Sequence, residues 1–173
     1  MIRLAVEGDL PAIGGIYEEI LDREENLPAP ETNWQRGKYP TVDHARRALE
    51  AGSLWVCGAE GAVCGSFILN GEQLPEYSLI PWQFAAEEDR VAVIHTLVVS
   101  PRWFGRGKAR EMVAFCEEEA RRRGKTVMRL DTPETNTPAV RMYPRLGYSL
   151  AGATEFFFQG FIHEVLNCYE KEL

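Results

Sequence analysis

The sequence predicts a mixed α/β (α+β) fold: a mostly antiparallel central sheet of about seven strands, flanked by helices and containing one βαβ unit. Three observations predict it. Val91 to Val99 is almost continuously apolar and β-branched, as in a strand buried on both faces. That run leads through a basic glycine turn into a helical pattern, Lys108 to Arg123, and then into a second strand pattern, Thr126 to Asp131. Leu54 to Leu69 reads as a hairpin, which supplies antiparallel strands.

In chain order, Ile2 to Val6 alternates apolar and polar and reads as a first strand. Asp9 is placed to cap a helix with Pro11 in its first turn. Leu10, Ile13, Ile16, Tyr17, Ile20 and Leu21 recur there at helical spacing. Glu24 to Pro40 reads as a long loop, and long loops in compact domains are often functional, which singles out Trp34 and Tyr39. Thr41 opens a second helix, Val42 to Ala51, stopped by Gly52. A two-residue turn at Glu60-Gly61 would set Cys57 directly opposite Cys64, with reduced thiols expected and a cross-strand disulfide as the alternative. Gly71 to Asp89, with Pro75, Pro81 and Trp82, is a second irregular segment. Met112, Val113, Cys116, Ala120 and Ala109 form the inward stripe of the helix after the basic turn. Asn136 to Arg145 reads as a short helix, Tyr148 to Ala151 as the start of a strand, and Phe161 to Leu173 as the final strand.

With 173 residues, 45% of them apolar, the chain suits one domain, 1–173, with a single core. A net charge of -7 argues against a nucleic-acid partner, which needs a basic face. No apolar run approaches the roughly 20 residues that span a bilayer, and Met1 to Asp9 lacks the pattern of a signal peptide, so a cytoplasmic protein without a membrane partner is expected. The four cysteines form no CxxC pair and no zinc spacing with the three histidines, and no metal is expected.

The stretch Ser100-Pro101-Arg102-Trp103-Phe104-Gly105-Arg106-Gly107-Lys108-Ala109 joins the buried strand to its helix. Gly105 and Gly107 let a ligand approach the backbone, and the amides that follow sit at the positive end of a helix dipole. Arg102, Arg106, Lys108 and Arg110 add positive charge within an acidic protein, which suits a multiply charged phosphate. Neither GxxxxGK[ST] nor GxGxxG is present; a plain strand-to-helix connector is the alternative for so short a pattern.

The pattern Arg102-x-x-Gly105-x-Gly107-Lys108-Ala109 resembles the acetyl-CoA signature of the GNAT superfamily of N-acetyltransferases. Downstream, Asn136-x-x-Ala139 followed by Tyr143-x-x-Leu146-Gly147-Tyr148 resembles that family's second block, in the right order and at a gap that suits one helix plus one strand. The resemblance implies acetyl-CoA as co-substrate. It places Leu97, Val98, Val99, Arg102, Phe104, Gly105, Arg106, Gly107, Lys108, Ala109, Asn136, Ala139 and Tyr143 against it. It implies that the Val98 N–H stabilises the oxyanion, and that Tyr143 gives a proton to the departing thiolate. Pro144 departs from the family pattern and directs the helix to end or kink at Tyr143. Homodimers are common in the family.

His95 is the base candidate, being the one ionisable side chain within Val91 to Val99, and alternation puts it on a face with Val93, Leu97 and Val99. A hydrogen-bonded core histidine is the equally weighted alternative. Glu72 and Glu76 are weaker bases. Trp34, Tyr39 and Trp82 are candidates to line an acceptor pocket, or to pin their loops to the core. The expected activity is transfer of an acetyl group to a primary amine, foremost of a small molecule, in one ternary complex. A protein lysine or N-terminal acceptor, or a non-catalytic acyl-CoA sensor, are the alternatives.

Overall fold

The computed structural model describes residues 1–158, 160 and 162–173. The elements run β1 (Ile2–Leu4), α1 (Leu10–Glu25), α2 (Val42–Glu50), β2 (Leu54–Ala59), β3 (Ala62–Asn70), β4 (Val91–Val99), α3 (Lys108–Arg122), β5 (Val127–Pro133), α4 (Thr137–Arg145), β6 (Ser149–Phe158) and β7 (Ile162–Glu172). Phe161, the expected start of the last strand, lies outside the described residues. The seven strands hydrogen-bond in the order β1-β2-β3-β4-β5-β7-β6. β4 and β5 pair in parallel, from Val91↔Val127 to Val93↔Arg129, and α3 is the crossover between them.

The residues group into two compact units. The first comprises Met1–Pro30, Trp34–Leu69 and His95–Phe115. Its core joins Leu10, Ile13, Ile16 and Tyr17 of α1 to Ala45 and Ala48 of α2, Leu54 and Val56 of β2, and Val98 of β4. This is the apolar stripe read from the α1 sequence, buried as its spacing requires. The second unit comprises Glu31–Asn33, Asn70–Ile94 and Cys116–Leu173. Its sheet face carries Val91 and Val93 of β4, Phe156 of β6, and Leu166 and Cys168 of β7, with Tyr77 and Ile80 from the irregular segment packed on them.

Several local expectations are corrected. Asp9 stands at the N-cap of α1, but its side chain makes no capping bond: the carboxylate takes two hydrogen bonds from Arg3, at 2.7 and 2.8 Å, and one from the Val6 amide. The Arg3 bonds, chiefly, hold its carboxyl below the usual range. The turn at Glu60-Gly61 forms with both residues at positive φ, 50° and 81°, as a two-residue hairpin demands. Cys57, however, lies opposite Gly65, because the register shifts between Cys57 and Gly58 and leaves Cys64 as the extra residue. Both thiols are buried and free, and burial pushes the Cys57 thiol up, with Cys64 beside it. In β4 the alternation assumed for His95 is broken at Thr96, whose φ is +47°. α4 continues through Pro144 to Arg145. The proline sits in the last turn, and the Leu146 amide closes that turn on Met142 and Tyr143. β6 runs on to Phe158, well past Ala151, with a bulge between Leu150 and Gly152 that obscures its alternation.

Candidate functional site

The first unit carries the basic turn. β4 ends at Val99, buried like Val98, while Leu97 is half-buried. Ser100 then starts a 3-10 turn, Pro101–Trp103, in which the Trp103 amide bonds the Ser100 carbonyl at 2.8 Å. Gly105 and Gly107 follow at φ +73° and +74°, and a β-carbon at either would meet no atom within 4 Å. The turn is therefore an open backbone ridge, exposed from Phe104 to Gly107. The first amides of α3, from Lys108, Ala109 and Arg110, have no partner inside the helix. Helix dipole and unspent N–H groups meet there, which is the arrangement that binds phosphates.

The basic side chains of the turn are already engaged. Arg102 pairs with Glu19 of α1 at 2.6 Å, Arg106 stacks on Trp103 at 4.8 Å, and Lys108 pairs with Glu111 at 2.7 Å. Glu19 also accepts a 2.6 Å bond from the Ser100 hydroxyl. Arg23, one turn further along α1, lies over the Phe104 ring at 5.4 Å. Sequence reading missed Glu19, since nothing in the spacing of α1 says which strand end its polar face meets.

The same unit holds Trp34, Tyr39, His44 and His95. A tight turn closes on itself through Gln35 and Tyr39, whose amides and carbonyls exchange bonds of 3.0 and 2.9 Å. Tyr39 is buried, with Trp34 and His44 set edge-on to its ring at 5.8 and 4.9 Å. Its hydroxyl lies 2.5 Å from the Thr96 hydroxyl, beside the half-buried His95. Arg36 ties this turn to α1 through Glu18, Asp22 and Glu25.

The second unit holds Asn136, Ala139 and Tyr143. The Asn136 side chain caps α4, accepting from the Ala139 amide at 3.4 Å. Tyr143 is buried, with its ring 5.7 Å from both Tyr148 and Tyr169. Burial, chiefly, and then the charge of Asp131 push its hydroxyl well above the ordinary phenol value. The phenol is therefore protonated at neutral pH. Trp82 lies in this unit too: its Nε1 donates to the Tyr77 carbonyl at 2.8 Å, and the Arg129 guanidinium sits 4.2 Å from its ring.

The sequence reading passed over two further carboxylates here. Asp131, at the C-terminal end of β5, accepts a 2.7 Å bond from the Tyr77 hydroxyl, and burial pushes its carboxyl up to about 6. Glu164 of β7 is pushed up to about 7 by burial and by Asp131, against the opposing effect of Asn33. Of the weaker base candidates, Glu76 accepts from the Phe157 amide at 3.4 Å, and Glu72 is exposed. The position of Asp131 at a strand's carboxyl end was a usable signal; Glu164 carried none.

The residues present fit acetyl-CoA: the first unit has an open glycine ridge and a helix N-terminus beside Arg102, Arg106 and Lys108 for phosphates, and the second has a buried tyrosine for a thiolate. Comparison with known proteins agrees. The model of the acetyltransferase (GNAT) family matches residues 18–148. No curated protein matches the chain in sequence. Among solved structures, a GNAT-family acetyltransferase from Streptococcus agalactiae superposes with a TM-score of 0.84 at 20% identity, over 100% of this chain and 95% of that one. A ribosomal-protein-alanine N-acetyltransferase from Brucella melitensis gives 0.70 at 23% identity, over 100% and 99%. A Salmonella typhimurium protein solved with its cofactor acetyl-CoA gives 0.69 at 21%, over 100% and 93%. With the family model spanning both sequence blocks and most of the chain between α1 and β6, this protein belongs to the GNAT family of acetyltransferases.

Proposed function

We propose that the protein transfers the acetyl group of acetyl-CoA to a primary amine of a small molecule, directly and in one ternary complex. One observation carries the small-molecule reading: the turn bearing Trp34 and Tyr39 is drawn in, with Tyr39 buried and bonded to Thr96 of β4. A peptide acceptor calls for an open groove, whereas an inward aromatic turn suits a closed pocket. The family match over 18–148 takes in parts of both units, which supports reading 1–173 as one catalytic domain. Among the described residues no helix is long and apolar enough to cross a membrane, which supports the cytoplasmic reading.

Acetyl-CoA supplies an activated thioester. The chain's own residues do the rest. The amides after Gly107 and the Arg102, Arg106 and Lys108 side chains hold phosphates, with Leu97, Val99, Phe104, Ala109, Asn136 and Ala139 along the rest of the cofactor. The Val98 N–H faces the developing oxyanion. His95 takes the proton of the incoming ammonium, and Tyr143 protonates the leaving thiolate. Trp34 and Tyr39 of the first unit line the acceptor side, and Trp82 is the acceptor-side candidate of the second.

The test is calorimetric titration with acetyl-CoA of the parent and of Gly107→Trp, followed by an amine and peptide panel assayed by thiol release. Micromolar binding, lost in the variant, with turnover on small amines is the expected result. Turnover confined to peptides would replace the small-molecule acceptor by a protein one. Binding without turnover on any amine would leave a sensor of acyl-CoA, and no binding by the folded parent would overturn the cofactor site.

A further inference from the structure

Glu19 reaches the basic turn from α1, and both of its oxygens are spent there. Oε2 accepts from the Ser100 hydroxyl and Oε1 from Arg102 Nη2, each at 2.6 Å. The two partners differ in kind. Ser100 is buried at 4% exposure, its amide bonded to the Cys64 carbonyl at 2.9 Å, so its hydroxyl has little freedom to seek another acceptor. Arg102 is 80% exposed at its side chain, so its guanidinium is free to swing. Four residues on, and therefore on the same face of α1, Arg23 covers Phe104. The turn from Ser100 to Phe104 is thus splinted along α1, by one fixed bond and one exchangeable bond at Glu19.

We propose that Glu19 is a positioning residue and the resident counter-anion of the phosphate turn: it keeps Ser100, and it gives up Arg102 to a phosphate of the cofactor on binding. The inference rests on the acetyl-CoA reading of the turn. Its physical content is a competition. A carboxylate paired with the guanidinium must be displaced before a phosphate takes it, and the carboxylate that remains repels that phosphate. Glu19 therefore lowers affinity for acetyl-CoA and for product CoA alike, while its bond to Ser100 maintains the end of β4. A site that has to release CoA after each turnover is served by such a brake.

The test compares acetyl-CoA binding by calorimetry in the parent, Glu19→Gln, Arg102→Ala and the double variant, across a salt series. A glutamine keeps an oxygen for the Ser100 hydroxyl and drops the charge. The expected result for Glu19→Gln is binding tighter by about 3- to 10-fold at low salt, shrinking as salt rises. That gain should vanish in the Arg102→Ala background, and KM for acetyl-CoA should fall with no rise in kcat. A structural role for Glu19 would not make a substitution tighten binding, nor make that gain depend on Arg102. Glu19→Ala should lose the gain by leaving the Ser100 hydroxyl without its acceptor. Equal or weaker binding by Glu19→Gln, or the same gain without Arg102, overturns the proposal. Failure of the parent to bind acetyl-CoA would instead overturn the cofactor reading itself.

Discussion

The Tyr39 hydroxyl meets the Thr96 hydroxyl at 2.5 Å, and Thr96 is the residue of β4 held at positive φ. A β-branched residue in the left-handed region costs on the order of 1–2 kcal/mol and persists only where its surroundings hold it. The inward aromatic turn and the irregularity of the strand therefore support each other.

Tyr39→Phe removes that bond while keeping the ring that packs on Trp34 and His44. The expected loss is about 1 kcal/mol, or about 2–4 °C in Tm for a chain of this size. KM for the amine should rise several-fold, with acetyl-CoA affinity within about twofold of the parent. Thermal denaturation and steady-state kinetics check both halves. An unchanged amine KM would detach this turn from the acceptor.

At Gly65 of β3 the backbone of β4 comes close. A β-carbon there would stand 2.6 Å from the Val98 carbonyl oxygen and 3.1 Å from Met112 Cε. The methionine end can move, but a strand carbonyl cannot. Gly65→Ala should cost about 1–3 kcal/mol in denaturant titrations. It should lower kcat more than that loss of folded protein explains, since the residue displaced is the proposed oxyanion donor.

Tyr143→Phe, which keeps the ring and removes only the hydroxyl, should hold acetyl-CoA affinity within about threefold of the parent and lower kcat by roughly 10²-fold, the usual worth of a positioned acid. Because burial holds the Tyr143 hydroxyl above its ordinary value, the parent should show no alkaline limb from its deprotonation below about pH 10. Full activity in the phenylalanine variant would assign the thiolate's proton to water.

The raised carboxyl of Glu164 makes stability depend on pH in a definite direction. A carboxylic acid whose value is higher folded than unfolded, here about 7, stabilises the fold at low pH and loses that contribution as pH rises through the folded value. Asp131, raised to about 6, acts in the same sense. Relative to the parent, Glu164→Gln should therefore gain stability at pH 8, with Tm up by about 2–4 °C, the effect of roughly 1 kcal/mol in a chain this long. The gain should fade toward pH 4. A constant difference between the two proteins across that range would show that Glu164 is not desolvated.

Local pattern determined much of this protein. The apolar run of β4, the two glycines of the basic turn and the stripe of α1 each follow from periodicity or from backbone chemistry confined to a few residues, and the Asn136–Tyr148 block from its resemblance to a family pattern. Those readings gave the element order and the family. Where the sequence misled, a single irregular residue broke a period: Cys64 as the bulged residue, Thr96 at positive φ, and the bulge after Leu150 that hid most of β6. Pro144 misled in another way, because a missing N–H matters little in a last helical turn that its neighbours close. Tertiary structure alone decided which side chains meet. It brought Glu19 to Ser100 and Arg102, 81 and more residues away, and Tyr77 to Asp131 across 54. Contacts at such separation depend on how elements pack rather than on spacing along the chain. Burial, chiefly, then moved Asp131, Glu164 and Tyr143 upward from their ordinary values.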